Sequence, residues 1–190
     1  MTDYLNDIQN YINEERRIVD ALDKDAINSA MNALMDAAKR GANIYVMGNG
    51  GSSATASHFI CDFAKGVFLG TGLPFRMQCL SDNTPMVTAV SNDIGYENVF
   101  EFQLKDKVQE GDLVLAISGS GNSENVVRAV EYAKSCGAEI IGMTGYSGGK
   151  LMQLSDFKMH VPVDNMQIVE DIHMMFDHLM MYTLCNSKNE

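Results

Sequence analysis

Two segments of the chain combine histidine with carboxylates at helical spacing. His58 and Asp62 are four residues apart, so on a helix they share one face. The second segment lies near the C-terminus and carries Glu170, Asp171, His173, Asp177 and His178 among apolar residues. Imidazoles and carboxylates of this kind suit acid–base chemistry or a divalent metal. A single histidine on a half-apolar helix is more often a structural group, so the pattern alone leaves both interpretations open.

Two polar, glycine-containing loops each follow an apolar segment of the sequence. A loop of this type exposes backbone N–H groups and hydroxyls at the positive end of the next helix, and these groups bind anions. Neither loop has the spacing of a dinucleotide fingerprint or a P-loop, so we expect a phosphorylated small molecule. The candidate binding residues in the two loops are Asn49, Gly50, Gly51, Ser52, Ser118, Gly119, Ser120 and Ser123.

Apolar segments that alternate with amphipathic ones predict an α/β fold. The strands are expected at residues 44–47, 75–80, 113–117, 139–143 and 157–161. Because each is mostly apolar, we predict a three-layer sandwich: a five-stranded, mostly parallel sheet with helices on both faces, flavodoxin-like or Rossmann-like. Ligands of such sheets bind beyond the carboxyl ends of the strands, which is where both polar loops lie.

The remaining segments are predicted to be helices and turns of a single domain, residues 1–190. Two amphipathic helices, 4–22 and 25–40, precede the first strand and form an N-terminal extension, residues 1–41. They either pack on their own domain or contact another subunit, and the sequence leaves both possibilities open. Further helices are expected at 52–65, about 99–108 and 166–184, with a loop at 66–74 and a polar turn at 91–96.

The composition excludes several classes of partner. A net charge of -11 disfavours direct binding to nucleic acid. The four cysteines have no CxxC spacing, which is typical of reduced thiols in a cytoplasmic protein. The acidic N-terminal segment has no apolar signal core, and no apolar run approaches the ~20 residues of a membrane span. We therefore expect a cytoplasmic protein without membrane contacts.

Several motifs, in order along nearly the whole chain, resemble the sugar isomerase (SIS) domain family and especially its phosphoheptose isomerase branch. They are Gly48-Asn49-Gly50-Gly51-Ser52, His58-Phe59, Asn92-Asp93 with Gly95, Ile117-Ser118-Gly119-Ser120-Gly121-Asn122-Ser123, Gly148-Gly149-Lys150-Leu151, and Ile172-His173 with His178. The resemblance implies an aldose–ketose isomerase that converts sedoheptulose 7-phosphate to D-glycero-D-manno-heptose 7-phosphate through an enediol. It also implies a homotetramer whose active sites lie at subunit interfaces.

The same resemblance assigns roles to individual residues. The catalytic base falls on Asp62 and the catalytic histidine on His178. The phosphate-binding positions are Ser118, Gly119, Ser120 and Ser123, and the sugar-binding positions are Asn49, Gly50, Gly51, Ser52, Asn92, Asp93 and Glu170. The ligands of a divalent metal, with zinc as the first candidate, are His58, Asp62, Glu170 and His178.

Three of these positions depart from the family pattern. Asp62 replaces a glutamate, so the base has a similar intrinsic pKa but one methylene less reach. Glu170 replaces a glutamine, and the added negative charge favours a bound cation. Gly119 stands where a threonine is usual, which removes one hydroxyl from the phosphate loop.

The spacing of the predicted metal ligands raises a geometric question. Glu170 and His178 are eight residues apart, which is ~12 Å along an ideal helix and ~80° around it. They can share an ion only if the side chains lean together, if the helix begins late, or if different subunits supply them.

Two other functions remain open on the sequence. One is a non-catalytic SIS module that binds a phosphosugar and contacts a protein partner such as a replication initiator. Such a module has no physical need for the carboxylate–histidine set that Asp62 and His178 provide. The other is an isomerase of a different phosphosugar, such as a hexulose or aminosugar phosphate.

Overall fold

The computed structural model describes residues 2–187; Met1 and residues 188–190, the ends of the predicted domain, lie outside the described residues. Its centre is a five-stranded sheet in the order β2-β1-β3-β4-β5, the flavodoxin-like order. Every strand pair is parallel, which confirms the α/β prediction. The strands are β1 (Asn43–Gly48), β2 (Arg76–Cys79), β3 (Leu113–Ser118), β4 (Glu139–Thr144) and β5 (Phe157–His160).

Helices cover both faces of this sheet. They are α1 (Leu5–Asp20), α2 (Lys24–Lys39), α3 (Gly51–Cys61), α4 (Phe68–Thr71), α5 (Thr84–Asp93), α6 (Glu101–Leu104), α7 (Glu124–Ser135), α8 (Gly149–Leu154) and α9 (Met166–Asn186). A π-helical segment, Asp62–Val67, joins α3 to α4, and a 3₁₀ turn, Tyr96–Asn98, follows α5. Within residues 2–187, no helix combines the length and the apolar character that crossing a membrane requires.

Alternating residues of the strands build two separate hydrophobic cores. Ile44 and Val46 of β1 face the core formed with α2, α3 and α9. Tyr45 and Met47 face the opposite core, formed with α5, α6 and α7. This period-two burial on both faces is the reason why the strands read as continuous apolar runs.

The two N-terminal helices differ in how they are packed. Asp23 caps α2 by accepting a hydrogen bond from the Ala26 N–H, and the apolar face of α2 lies in the core beside β5. By contrast, Ile18 is the buried residue of α1. The apolar side chains of Leu5 and Ile8 are exposed. Helix α2 therefore packs on the sheet of its own domain, whereas α1 leaves part of its apolar face uncovered.

Three local predictions are wrong. Residues 66–71 of the expected loop are helical, because Gly66 and Gly70 let this helix pack closely on α9. A Cβ at Gly66 would come within 2.3 Å of the Met181 side chain. The expected turn at 91–96 is helical through Asp93. The helix expected at 99–108 ends at Leu104, because the following residues leave the helical conformation.

Candidate active site

The loop between β3 and α7 forms a hydroxyl-lined cavity at the carboxyl edge of the sheet. The hydroxyls of Ser118 and Ser123 lie 3.0 Å apart. The Gly121 N–H donates to the Ser118 carbonyl, and Gly121 has a φ of 66°, which only glycine adopts easily. The cavity has a volume of about 190 Å³ and is lined by Asn49, Ser52, Ile117, Ser118, Gly119, Ser120, Ser123, Met166 and Glu170. Hydroxyls at the start of α7 make it a suitable phosphate pocket.

The first polar loop is held against this pocket by a pair of asparagines. Asn49 and Asn125 exchange two side-chain hydrogen bonds of 2.9 Å each. The Tyr96 hydroxyl donates a third bond, of 2.7 Å, to the Asn49 side-chain oxygen. Because Asn125 lies in the first turn of α7, the pair ties the loop after β1 to the loop after β3. Sequence reasoning missed Asn125 and Tyr96, whose partners lie far away in the chain.

Glu170 lies at the pocket and close to the first turn of α3. A Cβ at Gly51 would come within 2.6 Å of the Glu170 carboxylate, so a glycine leaves the room that this side chain occupies. Among the residues predicted to bind the sugar, Asn92 and Asp93 instead lie exposed at the end of α5. Their side chains bond to each other over 2.7 Å, and they do not line the pocket.

A group of ionisable side chains lies where α3 packs on α9. It comprises His58, Asp62, Asp177 and His178, and one ligand atom from each lies within 4.8 Å of the others. The Nε2 atoms of His58 and His178 are 3.1 Å apart. The His58 Nε2 lies 3.5 Å from an Asp62 oxygen and 3.8 Å from an Asp177 oxygen. We refer to these four residues as the histidine–aspartate cluster.

The cluster differs from the metal set that the resemblance implies. The structure brings His58, Asp62 and His178 together. The fourth residue of the cluster is Asp177, and Glu170 is not a member. The rise of ~12 Å between residues eight apart on a straight helix explains the separation of Glu170 from His178. Sequence reasoning had Asp177 among the ionisable residues of the last helix but gave it no role.

Asp177 is the most deeply buried carboxylate of the cluster. Its side chain is 0% exposed, whereas that of Asp62 is 14% exposed. Within residues 2–187, neither Asp177 oxygen has a hydrogen-bond partner. Burial, together with the charge of Asp62, raises the pKa of Asp177 to about 7. Two carboxylates and two imidazoles at this spacing fit a divalent cation, which would give the buried Asp177 carboxylate a partner.

The other two histidines have structural environments. His173 is buried, its Nε2 lies 3.3 Å from the Thr144 carbonyl, and burial lowers its pKa to about 4. His160 in β5 has the Thr144 hydroxyl as a partner at 3.0 Å. Burial also lowers the pKa of His160. Both are therefore neutral near pH 7 and belong to the packing of α9 and β5.

The phosphate pocket and the histidine–aspartate cluster lie at opposite ends of α3. Ser52 lines the pocket and Asp62 belongs to the cluster, ten residues later, which corresponds to about 15 Å of helix. An extended heptose 7-phosphate spans roughly 10 Å from its carbonyl to its phosphorus, from ordinary bond lengths. Along α3 of one protomer, the backbone positions of Ser52 and Asp62 are therefore farther apart than one such substrate is long.

The chain is similar to known proteins over most of its length. A family model described as "SIS domain" matches residues 4–145. The phosphoheptose isomerase of Aliarcobacter butzleri is 35% identical over 163 residues, which is 85% of this chain and 83% of that protein. The phosphoheptose isomerase of Mycobacterium tuberculosis is 37% identical over 140 residues, 74% of this chain and 71% of that protein. A solved phosphoheptose isomerase from Francisella tularensis superposes with a TM-score of 0.88 at 28% identity, covering 98% of this chain and 100% of that one.

Proposed function

The chain belongs to the SIS domain family, within its phosphoheptose isomerases, and we propose that it interconverts sedoheptulose 7-phosphate and D-glycero-D-manno-heptose 7-phosphate. The observation that carries this proposal is the coexistence of a hydroxyl-lined phosphate pocket with a carboxylate–histidine pair in a chain that matches isomerases over most of its length. A non-catalytic module that contacts a replication initiator is not favoured, since the matching relatives are named as isomerases.

Substrate binding is assigned to the loop between β3 and α7. The hydroxyls of Ser118, Ser120 and Ser123, together with N–H groups in the first turn of α7, bind the phosphate. The pocket holds no lysine or arginine among its lining residues, so these donors and the helix dipole supply the attraction. Asn49, held by Asn125, faces the sugar from the loop after β1.

Proton transfer is assigned to Asp62 and His178. Asp62 removes the proton from the carbon next to the carbonyl, and the C–H electron pair becomes the carbon–carbon double bond of the enediol. His178 moves a proton to the carbonyl oxygen and, in the second half, takes one from the neighbouring hydroxyl. Return of the proton from Asp62 to the other carbon gives the isomer, so nothing is gained or lost overall.

We propose a divalent metal, with zinc as the first candidate, at a site that includes His58, Asp62 and His178. The donor set favours zinc because imidazole nitrogens and carboxylate oxygens are among its usual ligands. When bound, the cation supplies Lewis-acid polarisation of the substrate carbonyl.

We further propose a homotetramer in which two subunits complete each active site. This proposal is supported by the span of about 15 Å of helix between Ser52 and Asp62 within one protomer, which exceeds the substrate's length. It is also supported by exposed apolar side chains at the N-cap of α1, on α1 and α4, and near the end of α9, namely Tyr4, Leu5, Ile8, Phe68, Leu69 and Tyr182. The four free cysteines and the phosphorylated substrate class are consistent with a cytoplasmic location.

The direct test is conversion of sedoheptulose 7-phosphate. The protein is incubated with this ketose and each of several divalent metals, and the aldose phosphate is followed by chromatography. A panel that includes a hexulose phosphate and an aminosugar phosphate measures selectivity by kcat/KM. Preference for the seven-carbon ketose supports the proposal. A folded, metal-supplemented protein that converts only another phosphosugar, or none of them, contradicts the substrate assignment.

A further inference from the structure

Asp177 has no role in the scheme above, yet its environment is costly. Its side chain is fully buried, and the nearby α9 residues Phe176 and Met180 belong to the hydrophobic core. Among the described residues, its one ion-pair partner is His58, 3.8 Å away, and neither of its oxygens accepts a hydrogen bond. An ionised carboxylate that accepts no hydrogen bond is unfavourable in such a place unless a cation lies close to it.

The neighbours of Asp177 are spaced as ligands of one ion. Two nitrogens bound at about 2.0–2.1 Å to one tetrahedral zinc lie roughly 3.3 Å apart. The Nε2 atoms of His58 and His178 are 3.1 Å apart. One oxygen of each carboxylate in the cluster lies within 4.8 Å of a ring nitrogen of each histidine. Two neutral imidazoles and two carboxylates also balance the charge of a divalent cation.

The two carboxylates of the cluster differ in access to solvent. The Asp177 side chain is fully buried, so it has no path to a substrate atom. The Asp62 side chain remains 14% exposed and is the one that can reach the sugar. Glu170, the position that the family pattern favours as a ligand, lines the phosphate pocket and lies against Gly51.

We propose that Asp177 is the anchoring carboxylate of a divalent-cation site completed within one protomer by His58, Asp62 and His178. Glu170 is then a pocket residue and not a ligand. This inference deepens the proposed isomerase function. The catalytic role of the cation rests on that function, whereas the binding of the cation can be measured without it. With Asp177 holding the cation from the buried side, Asp62 keeps its more exposed position towards the substrate.

The test compares Asp177→Asn with the matched variant Glu170→Gln, which removes the same charge from the same helix. Zn²⁺ and Co²⁺ affinities of metal-free proteins are measured by calorimetry and chelator competition, and Co²⁺ absorption reports the coordination geometry. We expect Asp177→Asn to lose at least about 100-fold in affinity and the intense tetrahedral Co²⁺ bands. We expect Glu170→Gln to stay within about threefold of the wild type, since it removes no ligand.

A stability measurement separates a ligand from a structural residue. In the metal-free state, Asp177→Asn should be at least as resistant to urea as the wild type, because the substitution removes an unpaired buried charge. A metal-free variant that is clearly less stable would assign Asp177 a structural role and overturn the proposal. Loss of affinity in Glu170→Gln with retention in Asp177→Asn would also overturn it, as would a wild type that binds neither ion.

Failure of this inference is distinguishable from failure of the proposed function. Wild-type protein that converts sedoheptulose 7-phosphate but binds neither Zn²⁺ nor Co²⁺ would overturn the cation site and leave the isomerase standing. Metal binding that depends on Asp177, in a protein that converts no phosphosugar, would leave the cation site standing and contradict the isomerase.

Discussion

The Nε2 atoms of His58 and His178 lie 3.1 Å apart, although the residues are 120 positions apart in the chain. This contact joins α3, which begins at the first polar loop, to α9, which passes the phosphate pocket at Glu170. Two neutral imidazoles can approach so closely only if one donates and the other accepts, or if both bind one cation. The pair therefore fixes the position of Asp62, one turn after His58, relative to the C-terminal helix.

Replacement of Asp62 by asparagine should abolish proton abstraction. The amide keeps the shape of the side chain but has no basic oxygen, so kcat should fall at least about 100-fold. The KM should change little, because Asp62 is not among the residues that line the phosphate pocket. Steady-state kinetics on the variant and on Asp36→Asn, an exposed aspartate of α2, make the comparison. An Asp62→Asn enzyme with wild-type kcat would remove Asp62 from the mechanism.

Removal of the Ser123 hydroxyl should weaken substrate binding and not the chemical step. Ser123 and Ser118 share a hydrogen bond of 3.0 Å at the pocket, and a hydrogen bond to a charged phosphate contributes about 1.5–3 kcal/mol. For Ser123→Ala we expect the KM to rise by roughly 10–100-fold with kcat nearly unchanged. The control is Ser135→Ala at the far end of α7, where the hydroxyl donates to the Tyr132 carbonyl. A selective loss of kcat would place Ser123 at the reacting carbons instead.

The sheet was predictable because its strands are buried on both faces. Each predicted strand agrees with the structure within one residue at either end. A short, continuous apolar run bounded by turn residues is typical of a strand that is buried on both faces. The helix at 66–71 was missed for a tertiary reason. Gly66 and Gly70 read as helix breakers, but in the structure they make room for Met181 and Cys185 of α9.

The candidate site was predictable only in part. The pocket serines follow a strand directly, so their position at the edge of the sheet is a consequence of chain order. Which side chains of α9 contact His58 and Asp62 depends on the rotation of α9 about its own axis. Asp177 and His178 are adjacent and point about 100° apart on an ideal helix, so the sequence does not indicate that both contact α3. The packing of α3 on α9 decides this.

The buried His173 should make the protein less stable as the pH falls below neutrality. Its folded pKa, about 4, lies below the ordinary value of 6.5, so the unfolded chain takes up the proton first. The stability from neutral His173 is complete above pH 6.5 and is lost as the pH falls towards 4, by about 2 kcal/mol between roughly pH 7.5 and pH 5.

This loss is measured as a difference between the wild type and His173→Gln. The glutamine amide can still donate to the Thr144 carbonyl but does not titrate. Asp177 has the opposite effect on stability: because its pKa is raised, its contribution to the free energy of unfolding falls as the pH rises. Both proteins contain Asp177, so this effect cancels when the pH dependence of the variant is subtracted from that of the wild type. Urea midpoints at the two pH values give the result. Equal pH dependence in the two proteins would mean that His173 is already charged in the folded state.

The glycine at position 119 is coupled to Met166. A Cβ at Gly119 would lie 2.7 Å from the Met166 sulfur, so the space that a threonine needs is filled from α9. Gly119→Thr alone should therefore destabilise the protein by about 1–3 kcal/mol through overpacking. Met166→Ala should relieve this, and the double variant should show a coupling of at least about 1 kcal/mol in a double-mutant cycle.

Urea unfolding of the two single variants and the double variant measures this coupling. The control is Met174→Ala, two turns further along α9, which should combine additively with Gly119→Thr because its side chain is not among the close neighbours of Gly119. The double variant also restores a hydroxyl to the pocket, so its KM for the sugar phosphate should fall below that of Met166→Ala. Additive effects of Gly119→Thr and Met166→Ala would mean that the methionine moves aside freely, and the glycine would then need another explanation.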